Sequence, residues 1–132
     1  MDFAGGRRVV CVAIAEPDEV RALLATAQTD KTDPQRRYSV DAMIGAGQCW
    51  KVEEGGRITA AFVTTEDSGE LWVSVAVGRS AYDLVEILVQ HLDATAAGRY
   101  RLIGFQTARR GLVKKTQHHG YAVAGYIMRK TL

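Results

Sequence analysis

Between Leu71 and Leu92 an apolar run, LWVSVAV, passes through Gly78-Arg79-Ser80 into residues spaced as on an amphipathic helix. A strand that hands over to a helix start presents unpaired backbone N–H groups and the positive end of the helix dipole, which together attract an anion such as phosphate. Arg79 adds charge there, and Ser80 and Ala81 add backbone donors. Tyr82 and Leu84 put bulk where a close phosphate cradle favours glycine.

Other residue types capable of chemistry are sparse. Glu66, Asp67 and Glu70 form a carboxylate group in the stretch TEDSGE, read as a turn, where a general base and a solvated polar turn have the same signature. His118 and His119 are adjacent, so on a helix they point in different directions, and no further ligand at metal spacing accompanies them. They suit a solvated helix C-terminus, and no metal site is expected. Arg109, Arg110, Lys114 and Lys115 share one short helical segment, which fits either a phosphate-bearing or acidic partner or a solvent-facing helix. The chain carries no Ser-His-Asp arrangement, Walker loop or zinc-finger spacing.

Bulk properties narrow the class. The 132 residues, 47% of them hydrophobic, fit one domain over residues 1–132 with a single core. Seventeen basic residues against fifteen acidic ones leave a net charge of +2, which argues against a nucleic-acid-binding surface. Cys11 and Cys49 lie in strand-like contexts without CxxC spacing and read as free buried thiols of a reducing compartment. With no signal-like or membrane-length apolar run, a cytoplasmic protein is expected.

These residues need elements to position them. RVVCVAIA (8–15) reads as a strand covered on both faces, and Pro17 opens a helix whose apolar positions are Val20, Leu23, Leu24 and Ala27. The polar run 29–37 reads as a connection, followed by a short helix from Ser39 capped by Gly45 or Gly47. CWKVE, RITAAFVTT and LWVSVAV form three antiparallel strands, the first two joined across Gly55-Gly56. Ser80 with Asp83 suggests a capping box for a helix that buries Leu84, Val85, Leu88 and Leu92 and ends at Gly98. A strand at Tyr100–Gln106, a basic helix at Ala108–His119 closed by Gly120, and a last strand at Tyr121–Met128 complete the chain. Trp50 and Trp72 read as packing residues of the sheet, and His91 as a boundary side chain.

This order, β-α-(α)-β-β-β-α-β-α-β, together with HHGY at the close of the last helix, resembles the GNAT superfamily of acyl-CoA-dependent N-acyltransferases. The resemblance implies an α/β (α+β) fold with a mixed, mostly antiparallel sheet, a central parallel strand pair (Leu71–Val77 beside Tyr100–Gln106) and flanking helices. It implies acetyl-CoA or CoA as cofactor and an amine as acceptor. Val75, Ala76 and Val77 match the strand positions that face the pantetheine arm, and Gly78, Arg79, Ser80 and Ala81 match the pyrophosphate turn. Tyr82 and Leu84 depart from the small residues of that turn, and Thr116 stands where many members carry a proton-donating tyrosine. Glu70 is then the candidate base, and Tyr121 the candidate acid, with Tyr126 or His118 as substitutes. The same departures fit a different class: a GNAT-fold binding or assembly module without catalysis, similar to small proteins encoded by phages and prophages. A homodimer is compatible with either.

Overall fold

A computed structural model of the protein describes residues 10–27, 39–80 and 82–132. Five strands form one sheet in the order β1-β2-β3-β4-β5: Val10–Ile14, Gln48–Glu54, Arg57–Asp67, Glu70–Gly78 and Leu102–Phe105. The first four pair antiparallel, and β4 and β5 pair parallel. This is the mixed α+β architecture expected above. The parallel pair requires a crossover, supplied by helix α3 (Leu84–Ala96).

Local chemistry sets the other helices. Pro17 opens α1 (Pro17–Ala25), and the Glu19 carboxylate reaches back to accept from the Glu16 N–H at 2.8 Å. Ser39 caps α2 (Val40–Ala46) by accepting from the Ala42 N–H, and Gly47 ends it. The period-two alternation of β3 then divides the core: Ala61 and Val63 pack with Val20, Leu24 and Ile44 from α1 and α2, while Ala60 and Phe62 pack with Leu92 and Ala96 of α3 on the other face. Helix α4 (Arg110–Gln117) follows β5.

Four expectations need correction. Tyr121–Met128 forms no strand, because β5 is only four residues long and offers a short template, and Gly125 interrupts the run. Strand β3 runs on to Asp67, so Glu66 and Asp67 are strand residues and only Ser68-Gly69, both at positive φ, make the turn. Strand β1, the outermost strand among the described residues, is not covered on both faces: none of its residues is buried, and Cys11 is exposed while Cys49 is buried. Helix α3 is capped by Asp83 and not by Ser80. The stretch 28–38, including most of the expected connection, lies outside the described residues, as do Arg8, Val9 and Ala81.

His91 is half-buried, the boundary side chain expected of it. Its ring meets Trp50 edge-on at 4.6 Å and Phe62 at 5.9 Å, and burial lowers its pKa from the ordinary 6.5. The folded chain therefore favours the neutral imidazole. Above 6.5 both folded and unfolded chains hold it neutral; as pH falls through that value the unfolded chain takes up the proton first and stability drops. Urea titrations from pH 7.5 to 5.5 should show this loss in the wild type and a flatter profile in His91→Leu. In the same assay Phe62→Ala, at a fully buried site, should cost about 3–5 kcal/mol.

Candidate functional site

Strand β4 is bonded on both sides only along its first residues. Strand β5 pairs with Glu70 through Val73 and stops there, whereas β3 accompanies β4 as far as Gly78. At the point of divergence the β3–β4 register jumps from Val63↔Val75 to Thr64↔Val73, so Ser74 is an extra, bulged residue. Beyond it β4 has no strand partner on the side away from β3 among the described residues, which leaves a gap in the sheet's pairing there.

Register decides which backbone groups face that gap. The Arg79 N–H donates to the Thr59 carbonyl at 3.0 Å, one step outside the Ala60↔Gly78 pair. In an antiparallel ladder this makes Ala60↔Gly78 a non-hydrogen-bonded pair and Ala61↔Val77 a bonded one. Alternation then turns the N–H and C=O of Val75 and Val77 toward β3 and those of Ala76 and Gly78 toward the gap. Of the three strand positions singled out from sequence, Ala76 offers the open pair. Gly78 has a separate steric reason to be glycine, since a Cβ there would stand 2.4 Å from the Ala60 Cβ.

The turn after β4 is held by a group that the sequence reading passed over. Glu54, the last residue of β2, is buried, and its Oε2 accepts from the Thr59 hydroxyl at 2.6 Å and from the Ser80 hydroxyl. Ser80 Oγ in turn accepts from the Tyr82 N–H at 3.0 Å. Beside Gly55-Gly56, Glu54 looks like a solvated hairpin residue, and no local spacing signals its burial. Next in line, Asp83 Oδ1 accepts from the N–H groups of Val85 (3.1 Å) and Glu86 (3.3 Å) and from Lys115 Nζ (3.3 Å). The Glu86 N–H bond, with help from Lys115, holds the Asp83 carboxyl below its usual range. Thus the chain's own oxygens already engage several donors at the start of α3. A phosphate gains the charge of the exposed Arg79 but does not find an empty nest.

The remaining candidates gather elsewhere. A cleft of about 1110 Å³ wraps the outer edge of β5, and both Glu70 and Tyr121 line it. The Tyr121 ring lies 5.6 Å from Phe105, the last residue of β5, and burial, reinforced by the charge of Asp93, raises its pKa, so the phenol stays protonated. Thr116 is buried and its hydroxyl donates to the Leu112 carbonyl at 2.9 Å, which engages it within the helix. Glu70 sits at the far end, four residues or about 13 Å along the strand from Ser74. Its carboxylate and the Trp72 ring fill the space over Gly104, where a Cβ would meet both within 3.0 Å. His118 and His119 are exposed, and among the described residues no group of side chains could hold a metal ion. None of the described helices is long and apolar enough to cross a membrane.

No family model matches the sequence, and a search of curated proteins finds no relative. Solved structures do resemble the fold. A ribosomal-protein-alanine N-acetyltransferase from Brucella melitensis biovar Abortus superposes with a TM-score of 0.68 at 11% identity, over 93% of this chain and 100% of that one. A GNAT family acetyltransferase from Elizabethkingia anophelis, solved with acetyl-CoA bound, gives 0.66 at 17% identity, over 92% and 80%. An IAA acetyltransferase from Bacillus cereus gives 0.65 at 17%, over 84% and 75%. The chain has the GNAT fold.

Because Glu54 ties β2, β3 and the turn together, its removal should loosen that corner first. Glu54→Leu removes the single carboxylate oxygen that accepts from both the Thr59 and the Ser80 hydroxyls and should cost about 1–3 kcal/mol. Hydrogen exchange should show Tyr82 and its neighbours opening before the central strands.

Proposed function

We propose that this protein is a GNAT-type N-acyltransferase, a single catalytic domain over residues 1–132 that takes an acyl group, acetyl in the simplest case, from its CoA thioester to an amine acceptor in a cytoplasmic setting. One observation carries the reading. The Ser74 bulge and the early end of β5 leave the Ala76 N–H and C=O facing a gap, as an extended, amide-bearing ligand arm requires. Acyl-CoA, when bound, would supply an activated acyl thioester, with CoA thiolate as the leaving group.

The chain's own groups do the rest. The Ala76 N–H lies on the open edge of β4, where it donates to an amide or to a carbonyl oxygen that gains charge. Arg79 meets phosphate with its side chain, outside the turn that Ser80 and Asp83 close. Glu70 takes the acceptor's proton through water along the cleft, given its distance from the bulge. Tyr121, half-buried and held protonated, returns a proton to the leaving thiolate, the role that Thr116 cannot fill.

A second reading rests on the closed turn. If the donors at the start of α3 serve only the helix, the fold remains a binding or assembly module without turnover. Titration separates the two. Acetyl-CoA should raise the melting temperature saturably, and Arg79→Ala should weaken binding in calorimetry by about 1.5–3 kcal/mol. Release of free thiol in the presence of a general amine, abolished or slowed by Tyr121→Phe, would establish the enzyme. Absence of any binding by CoA or acetyl-CoA leaves the module.

A further inference from the structure

Charge is not spread evenly along this chain. After Asp93 it carries eight Arg and Lys residues and no Asp or Glu, whereas the residues up to Asp93 hold nine cations against all fifteen acids. The basic part includes α4, where Arg109, Arg110, Lys114 and Lys115 are all exposed. Lys115 pairs with Asp83 at 3.3 Å, but Arg79, Arg109, Arg110 and Lys114 make no ion pair among the described residues. The Lys115 pair also fixes a position: it sets the last turn of α4 beside the start of α3, the element that follows Arg79 and the open end of β4.

The turn between β4 and α3 decides what an arm lying along that edge can be attached to. The N–H groups of Tyr82, Val85 and Glu86 already go to Ser80 and Asp83, and the Glu54 carboxylate holds Ser80 from beneath. A nucleotide diphosphate brings two charges to a turn whose donors are engaged and whose own oxygens are anionic. A phosphopantetheine arm asks for less. It ends in one phosphodiester, a single charge that the exposed Arg79 side chain meets. Next to it stand the unpaired cations of α4, whose complement is an acidic protein surface. A nucleic acid also complements that charge, but it brings no extended, amide-bearing arm to the edge at Ala76. CoA carries the same arm and reaches the same edge without the contact that α4 offers.

Resting on the acyl-transfer reading, we propose that the donor is an acyl group on the phosphopantetheine arm of an acidic carrier protein, which docks on the exposed cations of α4 and lays its arm past Arg79 onto the edge at Ala76. The amine nitrogen bonds to the thioester carbonyl carbon, the C–S bond breaks and the pantetheine sulfur leaves with the electron pair. The proton that the amine loses balances the one that the thiol gains. The test is calorimetry with four probes: phosphopantetheine, CoA, and an acidic acyl carrier protein with and without its arm. Phosphopantetheine and CoA should bind about equally, and the arm-bearing carrier at least about tenfold tighter than either, the lower end of electrostatic steering. That advantage should vanish at high salt and in Arg109→Glu with Lys114→Glu, whose far-UV circular dichroism should match the wild type. CoA binding as tightly as the arm-bearing carrier overturns the proposal and leaves the acyl-transfer reading standing. So does a carrier that binds equally well without its arm, or a mixed-sequence single-stranded RNA that binds more tightly than the carrier at the same salt. Failure of every arm-bearing probe to bind takes the acyl-transfer reading down with it.

Discussion

The divergence of β5 from β4 at Val73 is the constraint on which the candidate site depends. A strand bonded on both sides offers no backbone to a ligand, because each N–H and C=O already has a partner. By losing one neighbour halfway along, β4 keeps a rigid edge supported by β3 and gains open amide groups at Ala76 and Gly78. The bulge at Ser74 belongs to the same feature, since it changes which residues of β4 point toward the gap. Rigidity comes from beneath: Val75 is buried against the α1 and α2 side, and Phe62 anchors the other.

Two carboxylates beside that edge shape what it can accept. Glu54 and Asp83 fix the turn and the helix start in one conformation, which gives a positioned Arg79 at the cost of donors that a phosphate would otherwise use. Lys115 offsets part of this charge by bridging α4 to the start of α3. The basic helix, ambiguous from composition, thereby has one defined role. Its other cations stay exposed on α4.

What could be read from sequence followed the local signals. Gly55-Gly56 at positive φ announced the β2–β3 hairpin, and alternation placed Phe62 and Val63 on opposite faces. The parallel pair followed from the α3 crossover. Nonlocal facts were not legible. The Ser74 bulge depends on register across two strands, and the Ser80–Asp83 spacing that looks like a capping box hides a hydroxyl turned toward Glu54, 26 residues earlier. Tyr121–Met128 shows the converse failure: strong strand composition with no edge long enough to hold it.

The most direct test of the open edge is a backbone amide spectrum of labelled protein titrated with CoA. The Ala76 and Gly78 resonances should move saturably while those of Val75 and Val77, bonded to β3, keep their positions. Shifts confined to other regions, or none at saturating CoA, would show that the gap beside β4 is not a ligand site.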